Sequence, residues 1–325
     1  MELNPETGEI SKKEKLILPY KICNNPPAWS PDGKYLLYTT TKLSWPYRQI
    51  VCIQSAMTNE VNEIPCQRPF EFRTWFPDGE NILVYAEEEG FFKIDIHSGI
   101  ARLIMEKEKE EDISSIQISP DNKSLYYIRT PELPLAWASP KKTNQYLVVK
   151  DLETGEEKEL YEAKYLNMAL STDGKYLALV TYPGKTSPLA SPSIISIMPS
   201  CGGELKEIYR LKAKNHEIMY IKWSPDDRHL YFLQTWVPTS AIEANEVVYL
   251  GGGMYNLWRI PSKGGKVLDL ETFCDNLFFI HPDGDRVLYS EFHTDSILIE
   301  EIWVMENIFT RDMKQPIWPG KTLHR

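Results

Sequence analysis

Residues 28–40 read AWSPDGKYLLYTT, and this stretch decides the fold because it comes back five more times. The relatives are TWFPDGENILVYA at 74–86, QISPDNKSLYYIR at 117–129, ALSTDGKYLALVT at 169–181, KWSPDDRHLYFLQ at 222–234 and FIHPDGDRVLYSE at 279–291. The shared aspartates are Asp32, Asp78, Asp121, Asp173, Asp226 and Asp283, spaced by 46, 43, 52, 53 and 57 residues. Each copy has the same physical content. Proline presets φ, aspartate can bond the backbone two residues on, and glycine tolerates positive φ. An alternating aromatic and aliphatic run follows, so each copy reads as a β-hairpin.

A second hairpin follows within most units. Its turns are DIHSGIA from Asp95, DLETGEE from Asp151, MPSCGGE from Met198 and IPSKGGK from Ile260, with a weaker SAMTNEV from Ser55. Two hairpins make four strands in 43 to 57 residues, the length of one propeller blade. In the first unit these strands are expected near 26–30, 35–41, 48–54 and 60–65. We therefore expect an all-β fold, a six-bladed β-propeller of four-stranded antiparallel blades.

The last unit lacks an outer strand of its own. It offers strands near 278–280, 286–292 and 301–308, and then the tail FTRDMKQPIWPGKTLHR. LNPETGEI, from Leu3, reads as the missing outer turn, which makes 10–18 the outer strand of the last blade. Pairing of 10–18 with 301–305 would close the ring and remove an exposed sheet edge. Residues 1–309 are thus read as one propeller and 310–325 as a tail.

The WSPDGKYLLY and WSPDDRHLYF segments resemble the TolB-like propeller repeat, a "PD" relative of WD-type repeats. The resemblance covers nearly the whole chain and speaks to fold. It implies no single activity, because such propellers serve as periplasmic docking proteins, as accessory domains of hydrolases, as lyases and as modules of bacterial signalling proteins. The closing IWVMENI segment is similar to the ends of that last kind. Thr172, in place of proline, departs from the repeat and should loosen its turn.

Composition narrows the partners. The formal net charge is −10, which disfavours general nucleic-acid binding. No apolar run reaches the length of a membrane span. The polar start MELNPETGEISKKEK has no signal-peptide core, and the odd count of five cysteines favours free thiols. These points lean towards a cytoplasmic, monomeric protein, or a periplasmic one if a signal was removed.

Binding candidates come from loop lengths. The connections between second and third strands vary widely, and long ones near 130–144, 183–191 and 236–253 invite function. Together with the connection at 42–47 they place Trp45, Tyr47, Trp137, Trp236 and Tyr249, with Tyr255 just beyond, near Arg48 and Arg73. Two readings stay open: an adhesive rim for a protein or peptide, or rings that pin loops to the blade tops. The central channel could equally take a small ligand or hold water.

Catalytic signatures are missing from the sequence. There is no Gly-x-Ser-x-Gly elbow for a nucleophile, and Gly251–Gly253 stands without one. The six histidines show no metal-ligand spacing, and no cofactor fingerprint is present. The expectation is a non-enzymatic interaction or ligand-sensing propeller with no cofactor and no metal. The alternative is a hydrolase or lyase whose metal or acid/base site assembles across blades at the channel mouth.

Overall fold

In the computed structural model, residues 13–16, 27–42, 48–64, 70–108, 111–131, 144–182, 192–213, 216–236, 255–274, 278–284, 286–292 and 300–306 are described. Their strands form six four-stranded antiparallel sheets. A short N-terminal strand, β1 (Lys13–Leu16), comes first. The first sheet holds β2 (Ala28–Trp29), β3 (Tyr35–Lys42), β4 (Arg48–Ser55) and β5 (Val61–Glu63). The second holds β6 (Glu71–Trp75), β7 (Asn81–Ala86), β8 (Gly90–Asp95) and β9 (Ala101–Glu106). The third runs β10 (Glu111–Ile118), β11 (Ser124–Pro131), β12 (Gln145–Asp151) and β13 (Glu157–Ala163). The fourth runs β14 (Leu166–Leu170), β15 (Tyr176–Thr181), β16 (Ile194–Pro199) and β17 (Lys206–Arg210). The fifth runs β18 (His216–Trp223), β19 (His229–Trp236), β20 (Tyr255–Pro261) and β21 (Leu268–Cys274). The sixth is β22 (Phe278–Ile280), β23 (Arg286–Phe292) and β24 (Glu300–Glu306), completed by β1. There Lys13 faces Met305 and Leu16 faces Ile302 in antiparallel register. The chain is a β-propeller of four-stranded blades. The expected tail, 310–325, lies outside the described residues.

The repeat turn works through one serine and one aspartate. Ser30 Oγ donates to Asp32 Oδ1 at 2.6 Å, Asp32 accepts the Lys34 N–H, and Ser30 Oγ accepts the Tyr35 N–H. The same serine–aspartate bond recurs at Ser119–Asp121, Ser171–Asp173 and Ser224–Asp226. Partial burial acts to raise the Asp32 pKa, but its bonds to Ser30 and Lys34 bring it down to about 2. In the second sheet Phe76 replaces the serine, and Asp78 takes both N–H groups itself, those of Glu80 and Asn81.

Two other departures compensate each other. The fourth repeat has Thr172 where proline is usual, so its turn keeps an extra N–H. The fifth has Asp227 where glycine is usual, held at φ 56°. The Asp227 carboxylate accepts the Thr172 N–H at 2.7 Å and the Asp173 N–H at 2.9 Å. The expected loosening at Thr172 is thus offset by a strap from the neighbouring sheet.

Neighbouring sheets bury their faces against one another. One cluster joins Leu37 and Val51 of the first sheet to Phe72 and Ile82 of the second. Another joins Ala178 and Val180 of the fourth to Ile221 and Phe232 of the fifth. Indole N–H groups cross these joints: Trp75 donates to Ala28 O and Trp223 to Ala169 O. At the seam between sixth and first sheets, buried His281 replaces the repeat serine. Its Nε2 donates to Gly33 O at 3.1 Å, and its ring meets Trp29 edge-on at 4.6 Å.

Two predictions follow from these joints. A Cβ on Gly33 would lie 2.5 Å from the His281 ring, whereas one on Gly79, at the same φ of 71°, meets nothing within 4 Å. Gly79→Ala should then cost only backbone strain, roughly 1–2 kcal/mol. Gly33→Ala should cost about 1–3 kcal/mol more, through the displaced buried hydrogen bond. Urea unfolding of both variants measures the gap, and equal losses would remove the seam from the account. For the Thr172–Asp227 strap, a double-mutant cycle with Thr172→Pro and Asp227→Gly should show a coupling of about 0.5–1.5 kcal/mol. Simple additivity of the two changes would contradict the strap.

Candidate functional site

The inner strands of the sheets face one another around the channel, and three of them are irregular. In β6 the pairing with β7 skips Arg73. In β10 it slips between Ser114 and Gln117, and in β18 between Met219 and Ile221. Each slip inserts one extra residue, a β-bulge, which bends the strand and re-aims a side chain. Two bulges also carry left-handed backbone, with Ser115 at φ 49° and Tyr220 at φ 46°. For a bulky residue such as tyrosine this conformation is unfavourable.

The bulges converge on one cavity of about 260 Å³. Arg73, Ser115, Gln117, Asn167, Tyr220 and Lys222 supply its polar wall. Ile116, Met168 and Phe279 are among its apolar groups, and no aspartate or glutamate lines it among the described residues. The lining comes from inner strands of five sheets, so no short stretch of sequence encodes it.

The charges in this cavity differ in kind. Arg73 is exposed, ion-paired with Glu71 at 2.8 Å, and stacked over Tyr85 at 5.0 Å. Lys222 is half-buried, with Nζ 5.0 Å from the Phe279 ring centroid. Among the described residues no carboxylate pairs with it, and burial lowers its pKa. Gln117 is a strap, donating to Met168 O and accepting the Leu170 N–H.

A second groove, of about 1020 Å³, separates the second and third sheets. Two of its basic groups are ion-paired: Arg129 meets Glu111, Glu157 and Glu159, and Lys150 bonds Glu157 at 2.9 Å. Paired ions at a sheet joint are structural by this reading. Where the fourth and fifth sheets meet, burial raises the Glu217 pKa, and a hydrogen bond with Tyr182 opposes it only in part. Tyr182 in turn donates to Ile218 O and meets Tyr165 edge-on.

Of the residues expected from the sequence, Arg73 reaches the channel cavity. Arg48 begins β4 and Trp236 ends β19. Trp45, Tyr47, Trp137 and Tyr249 lie outside the described residues. Tyr255 is a correction. It opens β20 opposite Cys274, is only 5% exposed, and packs with Leu257 and Phe278. Tyr255 therefore belongs to the core and joins no exposed rim. Lys222 went unrecognised because it reads as the first letter of a repeat hairpin. No trio of His, Cys, Asp or Glu placed to hold a metal occurs among the described residues. No helix among them is long and apolar enough to cross a membrane.

The likeness to solved structures is to β-propellers. An oligogalacturonate lyase from Vibrio parahaemolyticus superposes with a TM-score of 0.57 at 14% identity, over 90% of this chain and 93% of that one. TolB from Acinetobacter baumannii gives 0.60 at 15% identity, over 85% of this chain and 65% of TolB. A Pyrococcus horikoshii acylaminoacyl peptidase gives 0.57 at 14% identity, over 87% and 45%. At such identities the likeness establishes the fold alone. No protein-family model matches the chain, and no curated protein matches it by sequence.

The raised Glu217 pKa yields a signed prediction. A carboxyl whose folded pKa exceeds its unfolded value contributes stability below the unfolded value, and that contribution is lost as pH rises through the folded one. Glu217→Gln should therefore be more stable than the parent at pH 8, with the advantage shrinking towards pH 4. Thermal unfolding across that range tests it; an advantage independent of pH would refute the burial account.

Proposed function

We propose that residues 1–309 form one closed six-bladed propeller that binds a small ligand in its channel without transforming it. The observation that carries this reading is the convergence of three inner-strand bulges on the cavity at Lys222. Bulges break the ladder hydrogen bonds and re-aim side chains, and they are over-represented beside functional sites. The cavity wall offers hydroxyl, amide and ammonium groups, which hold and orient a ligand.

The loop face adds access. Strands β3, β11, β15 and β19 end on the side opposite the repeat turns, where the segments carrying Trp45, Tyr47, Trp137 and Tyr249 begin. In this reading Trp45, Tyr47, Trp137 and Tyr249, with Arg48 and Trp236, serve as the binding rim expected from the sequence. The rim admits the ligand or presents its bound state to a protein partner, as in a regulatory or docking module. The propeller fold shared with TolB and with enzymes is compatible with such a module.

A second reading draws on Lys222 itself. A lysine whose pKa is lowered by burial can act as a general base, so a proton-abstracting site at the channel is the competing function.

Small-molecule retention separates the two. The full chain should be dialysed against a metabolite filtrate, released by denaturation, and its retained compounds compared with the input by mass spectrometry. One compound retained at up to one equivalent and recovered unchanged after overnight incubation is the expected result. Its chemical conversion would favour the enzyme, and retention of nothing would overturn the ligand-binding reading.

A further inference from the structure

Three unfavourable features meet in one small space. Lys222 is half-buried, with its ammonium over the Phe279 ring and no carboxylate to offset it among the described residues. An isolated buried charge is strongly disfavoured unless something pairs with it. Ser115 and Tyr220, on the same cavity wall, hold left-handed backbone that non-glycine residues avoid. None of these is required by the blade, because β14 reaches the same cavity as a regular strand with no bulge. Features that cost stability and are not needed for the fold are the ones to associate with a ligand.

We propose that the channel cavity is a binding site for a small organic monocarboxylate, with the ligand's carboxylate on Lys222 and its apolar part against Phe279 and Ile116. This deepens the ligand-binding reading above and rests on it. Charge counting selects the class. Among the described residues Lys222 supplies one uncompensated positive charge, since Arg73 is already paired with Glu71. One ammonium balances one carboxylate, whereas a phosphate dianion would leave a negative charge in a half-apolar cavity. Hydroxyl and amide donors at Ser114, Ser115 and Asn167 can complete the carboxylate's hydrogen bonds. Size agrees: about 260 Å³ is below the roughly 300–1,000 Å³ of sites for drug-sized ligands, so the occupant is small. Aromatic and aliphatic walls favour an acid with an apolar body over acetate alone.

The second groove shows why this is specific to the channel. Arg129 and Lys150 are held by glutamates of the protein itself, so neither is left to meet a ligand's carboxylate there.

Isothermal titration of the full chain with acetate, isobutyrate, benzoate, benzamide and inorganic phosphate tests the proposal. At least one of isobutyrate and benzoate should bind saturably at one equivalent. Benzamide, the neutral counterpart of benzoate, should bind at least tenfold more weakly. Lys222→Met and Lys222→Gln should lose at least tenfold in affinity, while the exposed-lysine control Lys206→Met keeps it. The apo Lys222→Met protein should also melt higher than the parent, because it no longer buries an unpaired charge. No saturable binding of any monocarboxylate to folded protein would overturn the proposal, as would phosphate binding more tightly than every carboxylate. Unchanged carboxylate affinity in a folded Lys222 variant would also overturn it. A retained metabolite that carries no carboxylate would sink this inference while leaving the ligand-binding reading in place.

Discussion

The constraint on which the rest depends is that every sheet must bury both faces against neighbours, including the last against the first. A four-stranded sheet has two apolar faces here, and neither can be left in water. The seam where the sixth sheet meets the first is therefore a joint that must be specified like any other. The chain specifies it with side chains rather than with covalent continuity. His281 stands where other repeats have serine, and its ring reaches across to the Gly33 carbonyl of the first turn. Gly33 must be glycine both for its positive φ and because the ring occupies the space of a Cβ. Pairing of β1 with β24 then ties the two ends of the chain into one sheet.

Once the joints are set, the repeat can vary at its turns. Proteins built of repeats tolerate local departures when a neighbour supplies the missing interaction. Phe76 removes a serine, and Asp78 extends its own reach to the Asn81 N–H. Thr172 removes a proline, and Asp227 from the adjacent sheet captures the N–H so created. The second case has a cost, since Asp227 sits at a φ where glycine is normal. That cost is offset by two charge-assisted hydrogen bonds, each stronger than a neutral one. The departures are therefore read in pairs across a joint, never one repeat at a time.

This explains which parts were legible in the sequence. The hairpin turns were legible because Ser-Pro-Asp-Gly acts locally, through bonds spanning two to five residues. The outer strand supplied by the N-terminus was legible because the last unit visibly lacked one, and the register of Lys13 with Met305 falls within the expected spans. The channel was not legible. A bulge is a miscount between two strands, so Arg73, Ser115 and Tyr220 look like ordinary strand residues until their partners are known. Lys222 likewise reads as a solvated strand end, and only the approach of Phe279 from another sheet shows that it faces the channel cavity. Tyr255 misled for the opposite reason: lying beside a long loop says nothing about which way a side chain turns.

The distribution of strain separates structure from function within this ring. Strain at the turns is local and repaid on the spot, as at Asn122, whose positive φ matches its neighbours' glycines in the same turn. Strain at Ser115 and Tyr220 sits mid-strand, where a regular ladder was available and β14 adopts it. A propeller needs regular inner strands no less than outer ones, because their hydrogen bonds hold each blade together. Three interrupted ladders around one half-buried lysine are thus not explained by blade packing. Arg73, Ser115 and Tyr220, which those interruptions leave out of register, all line the cavity that holds Lys222, and it is this coincidence that the proposed ligand site accounts for.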